Sequence, residues 1–321
     1  MSTAPSVLPR PRASQFAAKL RAGDQLAYTL TLICAASIFL VTCLLVYQLW
    51  AGSVLSRQKF GWNFIFSSTW DPVKEDYGGV PFMFGTVVTS LVSLLISVPI
   101  GLGAAIFLSE MALPGISDAL TFLIELLAAV PSVIYGLLGI FLLVPVLESV
   151  VVPALKSVLG FLPIFAGPFY GVSLLSASVV LSIMIVPFII SVSREVLLAV
   201  PVDQREAALS LGATRWETTW QVVVPYASRG IYGSIFLALA RALGETMAVT
   251  MVVGNTSKVQ TSLLAPGNSI ASVIANQFNE ATSDMYISAL IELGLVLFAI
   301  TIIINGLARL MILTTGARIA K

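Results

Sequence analysis

The sequence predicts an all-α integral membrane protein with six transmembrane helices. Composition is the first reason: of 321 residues 58% are hydrophobic and 10% charged, too little polar surface to cover a soluble globule. The second is that the apolar residues gather into six runs, each long enough to cross a hydrocarbon core of about 30 Å. The same composition excludes other classes. A formal net charge of +1 leaves no cluster of Lys and Arg for a nucleic-acid backbone. There is no histidine, the commonest general base and metal ligand, and Cys34 and Cys43 share one apolar run with nothing to complete a metal site.

Residues 1–24 read as a cytoplasmic tail, with Arg10, Arg12, Lys19 and Arg21 ahead of the first run, Leu26 to Trp50. That run of about 25 residues exceeds a signal-peptide core and lacks an A-x-A-like site, so residues 25–50 are expected to remain as a span. Residues 51–81 form the longest external loop. Phe60, Trp62, Phe64 and Phe66 alternate there with period two, which predicts an extended segment with one apolar face, and Trp70, Asp71 and Pro72 come next. That face suits either anchoring at the membrane edge or a platform for an external binding protein.

Residues 82–312 hold the other five spans, Phe82 to Ser109, Ala119 to Leu147, Gly171 to Ser193, Ile231 to Gly254 and Met285 to Met311. Pro163, Gly167, Pro168 and Gly171 break the uncharged stretch from Ser157, so a re-entrant or external loop is expected there rather than a further span. Residues 313–321 are a second cytoplasmic tail. With both termini inside, the inner segments carry eleven basic residues, Arg194, Arg205, Arg215, Arg229, Arg309, Arg318 and Lys321 joining the four of the first tail. The outer segments carry five, Arg57, Lys59, Lys74, Lys156 and Lys258, the asymmetry expected for that orientation.

Residues 201–226 are a polar insert that this orientation puts in the cytoplasm. Asp203 is expected to N-cap a short helix, with Glu206 reaching back three residues later, and Gly212 supplies the left-handed conformation that ends it. Thr214 and Glu217 repeat the capping box, and Pro225 stops or kinks the helix that this second cap begins. About two turns carrying Ala207, Ala208, Leu209 and Leu211 are too short to span and suit docking on a partner, or an ordinary surface hairpin.

Within the fifth run, Arg241 lies about ten residues in, roughly 15 Å deep. An Arg at that depth costs on the order of 2.5 to 3.5 kcal/mol on insertion scales, so it needs a purpose. Glu245, four residues on, is expected on the same face, where the two can pair. A pathway for an anion fits, since positive charge invites entry and partial neutralisation permits exit, and so does a structural bridge. Glu125 and Glu292 are also expected deep in spans, either paired with a buried Arg, Ser, Thr or backbone group or lining the pathway. Ser132, Tyr135, Asn255, Thr256, Asn268, Ser269 and Asn276 offer hydroxyl and amide groups near span ends.

Glu206-Ala207-Ala208, three residues, Gly212, nine residues and Val222-Val223-Val224-Pro225 resemble the EAA loop of ABC importer permeases. The family's Ile-x-Leu-Pro becomes Val222 to Pro225, a small volume change. Three further stretches resemble the phosphate-specific, PstC-type members of that family. They are Tyr77 to Pro81 with Phe84 to Leu91; Ile124 to Leu137; and Arg241 to Ala248 with Gly254 to Thr256 and Pro266 to Ile270. The resemblance implies the type I importer permease fold with Glu206, Ala207, Ala208 and Gly212 on the coupling hairpin. It also implies a bacterial inner membrane, a PstA-like second permease, two ATPase subunits holding ATP and Mg, and an external phosphate-binding protein. Phosphate would pass Arg241 and Glu245. No Gly is followed by Lys, so the chain lacks a Walker A loop and is expected neither to hydrolyse ATP nor to hold a cofactor. Another oxyanion, sulfate or molybdate, is the alternative cargo, and a secondary transporter or channel the alternative class.

Overall fold

The computed structural model describes residues 24–319, with side chains from 26 to 310. The two tails expected at residues 1–24 and 313–321 lie outside the described side chains. The chain forms two units, Met1–Gly52 and Ser53–Lys321. The described part of the first is a single helix, α1 (Asp24–Gly52), exposed along nearly its whole length. Its Thr31 and Thr42 hydroxyls donate to carbonyls one turn back, at 2.9 Å each, so neither presents an unpaired polar group to lipid.

The second unit opens with α2 (Val54–Phe60) and α3 (Asn63–Phe66), joined through Gly61 at φ +54°. The aromatic alternation therefore belongs to helical turns, not to an extended segment. Phe60 and Phe64 are also four apart, a helical spacing, and they share one cluster while Trp62 and Phe66 point outward. A small antiparallel pair comes next, β1 (Trp70–Asp71) and β2 (Asp76–Tyr77). Trp70 packs edge-on to Phe82 and Tyr77, with ring centroids 4.7 and 4.9 Å away, and donates from Nε1 to Gln277 at 3.0 Å.

Then come α4 (Val80–Met111), α5 (Pro114–Ala128), α6 (Ser132–Leu159), α7 (Leu174–Leu198) and α8 (Val202–Ser210). The last four helices are α9 (Arg215–Leu243), α10 (Met247–Val252), α11 (Ile270–Gln277) and α12 (Asp284–Ile319). Among the described residues six helices can span a membrane, within α1, α4, α6, α7, α9 and α12. The number agrees with the sequence; two positions do not.

The third span is Ser132–Leu159, not Ala119 to Leu147. Pro131 forces the residue before it out of the α region and splits the apolar run into α5 and α6. The run is equally apolar on both sides, so hydropathy could not locate the break. The fifth is Arg215–Leu243, not Ile231 to Gly254, and it continues directly out of the hairpin. Pro225 does not stop it. A wide turn at Thr219–Val223 precedes that proline, as Gly139–Leu143 and Leu147–Val151 precede Pro145 and Pro153 in α6. Proline lacks an N–H and crowds the carbonyl four residues back, and a widened turn accommodates both.

Helix α7 is the centre of the bundle, packed against α4, α5, α9 and α10. Its Leu181, Met184, Ile185 and Ile189 meet Ala238, Ala242 and Leu243 of α9 and Ala248, Val249 and Val252 of α10. Polar ties cross the same interface: Ser193 and Ser234 hydroxyls lie 2.7 Å apart, joining α7 to α9.

Candidate functional site: the break after α9 and the hairpin before it

Helix α9 ends at Leu243, and the backbone turns through Gly244, Glu245 and Thr246 before α10 begins. Arg241 therefore lies in the last turn of α9, where the negative end of the helix dipole favours a cation. Its guanidinium carbon stands 5.6 Å from the centroid of the Phe188 ring on α7, and Tyr135 of α6 is within its electrostatic reach. Glu245 accepts from the Ala248 amide at 3.2 Å, at the start of α10. Among the described residues no ion pair joins Arg241 to Glu245. The expected pair needed an unbroken turn, and Gly244 ends it.

Stretches far apart in sequence meet beyond this break, along α10 and the loop that leads to α11. A Cβ on Gly85 of α4 would lie 1.8 Å from the Asn268 carbonyl oxygen, so glycine is what lets the loop before α11 lie on α4. Thr86 Oγ1 accepts from the Ile270 amide at 2.9 Å. On the other side, a Cβ on Gly136 of α6 would come within 2.6 Å of Met251 Sδ on α10. Asn255 (φ +52°) donates to the Thr250 carbonyl at 2.9 Å and accepts from Ser272 Oγ at 3.0 Å. Asn255, Asn268 and Ser269, candidates from sequence, thus frame the loop, with Ser269 capping α11.

Of the two other glutamates, Glu292 is 5% exposed on α12 and faces Ser56 and Arg57 of α2. Glu125 is not buried: α5 packs on one side only and leaves this carboxylate exposed. Tyr135 donates to the Leu127 carbonyl at 2.7 Å and so ties α6 back to α5 across the Pro131 break.

The hairpin holds Glu206, Ala207 and Ala208 on α8. Gly212 (φ +87°) ends that helix: its amide bonds the Leu209 carbonyl at 3.0 Å, and the Ala213 amide bonds that of Ala208 at 3.2 Å, a Schellman motif. The capping box at Thr214 and Glu217 forms in both directions, at 2.8 and 3.3 Å. The one expected at Asp203 does not. Pro201 occupies the N-cap and Asp203 sits in the first turn, where its charge still suits the helix N-terminus. Among the described residues α8 buries none of its own, and Leu211 beyond it is 89% exposed. One contact was invisible in the sequence: Arg205 of α8 pairs with Glu110 of α4, 95 residues away, Nη2 to Oε1 at 2.8 Å.

Similarity to known proteins covers the same segments. The family described as binding-protein-dependent transport system inner membrane component matches residues 97–313, from within α4 to within α12. The phosphate transport system permease protein PstC of Mesorhizobium japonicum is 42% identical over 99% of this chain and 99% of its own. Its counterpart from Haemophilus influenzae is 46% identical over 88% and 90%. The chain belongs to the PstC family of binding-protein-dependent transport permeases.

As a multi-pass inner-membrane permease, it shares its fold with solved ABC transporters. A chain of a bacterial alginate ABC transporter, in complex with an alginate-bound periplasmic protein, superposes with TM-score 0.58 at 16% identity, covering 91% of this permease and 96% of that chain. A chain of the inward-facing MetNI methionine ABC transporter gives 0.55 at 16% identity, covering 74% and 95%. The described residues of the permease hold no cluster of three metal-ligating side chains. What it offers instead is an exposed cation at the end of α9, over the Phe188 ring, that no carboxylate pairs with among the described residues.

Proposed function

We propose that the chain is one permease subunit of an ATP-driven phosphate importer, forming half of the translocation pathway beside a PstA-like permease. The observation that carries this is near full-length similarity to PstC permeases, with Arg241 exposed at the end of α9. An external binding protein delivers phosphate; two ATPase subunits, which hold the ATP and Mg, dock on the cytoplasmic loops of the two permeases, one of them on this chain's hairpin at Glu206, Ala207, Ala208 and Gly212. The chain itself hydrolyses nothing. ATP binding draws the ATPases together, and the hairpin converts that motion into opening toward the outside.

At the break, Arg241 attracts the anion. Phe188 holds the guanidinium by its ring face, which leaves the N–H edge for phosphate oxygens. Glu245 is anchored at the start of α10, close enough in sequence to compete for Arg241 when the break rearranges, and that competition releases the anion. The test is uptake of radiolabelled phosphate into vesicles holding the four-component complex. Uptake that requires ATP and prefers phosphate to sulfate and molybdate is expected. Uptake that follows a proton or sodium gradient without any ATPase subunit overturns the reading.

A further inference from the structure

We propose that Arg205 is the positioning residue through which the coupling hairpin moves the membrane helices, with Glu110 as its anchor; this rests on the importer reading above. Helix α8 has no buried residue, so apolar packing does not make it rigid with the bundle. A charge-assisted bracket does. Arg205 binds Glu110 two-pronged, Nη2 to Oε1 at 2.8 Å and Nε to Oε2 at 3.2 Å, with the two side chains only 18% and 10% exposed. The same guanidinium donates from Nη2 to the Leu197 carbonyl at 2.8 Å and from Nη1 to the Val200 carbonyl.

One side chain therefore joins three elements: the coupling helix, the end of α4 at Glu110, and the end of α7 at Leu197 with Val200 just beyond it. The planar fork makes four bonds from three nitrogens in fixed directions; a lysine ammonium, with three donors on one nitrogen, cannot reproduce the two-pronged grip together with both carbonyls. The junction has a second strut, since Arg194 of α7 donates to Ser117 of α5 at 3.4 Å and Ser117 donates to the Leu108 carbonyl of α4 at 2.8 Å.

Displacement of α8 through this bracket reaches α7 directly. Nine residues back from Leu197 along that helix, roughly 14 Å, is Phe188, the ring beneath Arg241. The bracket is thus one end of a rigid rod whose other part supports the cation of the pathway. Without it, an ATPase can still grip the exposed face of α8 but moves a helix that is no longer clamped to the bundle.

The experiment compares the reconstituted four-component complex carrying the natural chain, Arg205→Lys, Arg205→Met, Glu110→Gln, or the last two together. Phosphate transported and ATP hydrolysed are measured in the same vesicles, with the amount of ATPase subunit retained on purification. Expected is a fall of about tenfold in phosphate moved per ATP for Arg205→Met and Glu110→Gln, with hydrolysis and retained ATPase near the natural level. Their combination should be no worse than either alone, and Arg205→Lys should fall between. Glu110→Gln keeps the shape of the site and serves if Arg205→Met fails to assemble. An unchanged ratio in Glu110→Gln overturns the role of Arg205 alone, as does a loss of transport that only tracks lost ATPase subunit. Absence of ATP-driven uptake by the natural complex overturns this inference together with the importer reading.

Discussion

The guanidinium of Arg241 stands 5.6 Å from the centroid of the Phe188 ring. A ring face stabilises a cation without cancelling its charge, by about 0.5 to 2 kcal/mol. Phe188→Leu should therefore slow phosphate uptake by several fold, through a less well-held guanidinium, whereas Arg241→Gln should reduce it far more. Initial uptake rates in vesicles decide this, and equal rates for Phe188→Leu and the natural chain would remove the ring from the pathway.

Glu245 is occupied with the Ala248 amide, so Arg241 and Glu245 should be energetically independent in this conformation. In a thermal-stability cycle of Arg241→Gln, Glu245→Gln and the double variant, the effects should add within about 0.5 kcal/mol. A coupling well above that would mean the two are paired in the resting state. Each substitution should still impair transport by itself.

Gly85 and Gly103 both lie on α4 and should respond oppositely to a methyl group. A Cβ at Gly85 collides with the Asn268 carbonyl, so Gly85→Ala should cost about 1 to 3 kcal/mol and loosen the loop before α11. A Cβ at Gly103 meets nothing within 4 Å, and Gly103→Ala should be neutral or stabilising by about 0.5 to 1 kcal/mol. Unfolding in detergent separates the two.

The end of α8 offers a test of the hairpin alone. Gly212 has φ +87° with open space around it, so Gly212→Ala pays only for the left-handed backbone, roughly 1 to 2 kcal/mol. Amide exchange at Gly212 and Ala213 should quicken while the bundle core stays protected.

Burial, reinforced by the neighbouring Tyr286 and Glu75, pushes the Tyr77 hydroxyl up to about 12 from its ordinary 10. The folded protein keeps this proton at a pH where the unfolded chain has lost it. The contribution is complete below pH 10 and disappears as pH rises toward 12. Alkaline destabilisation in that window should be shallower in Tyr77→Phe, read from unfolding midpoints against pH.

How legible these features were depended on the range of the interactions behind them. Gly212 and the Thr214–Glu217 box were readable because a cap is decided by a few adjacent residues. The Asp203 cap failed for a local reason too, since Pro201 had already taken the position that starts the helix. The break at Pro131 was hidden inside a continuous apolar run, where hydropathy has no contrast, and the exit of the chain at Gly244 lay between Arg241 and Glu245, whose i to i+4 spacing reads equally well as one unbroken helical face. One unbroken span would put Glu125 deep, and its exposure follows from the break. Arg205 with Glu110 and Gly85 with Asn268 depend on how helices dock, and no spacing rule reaches that far.

Thr86 accepts its hydrogen bond from Ile270, 184 residues later in the chain. At about 5 to 20 residues per second of synthesis, α4 is made roughly 10 to 40 s before the loop that covers it. During that interval the groove at Gly85 is an open seat on a membrane-inserted helix. Assembly of this end of the bundle must therefore wait for nearly the whole chain, and a prematurely terminated product lacking residues beyond 265 would present the vacant groove to the insertion and quality-control machinery.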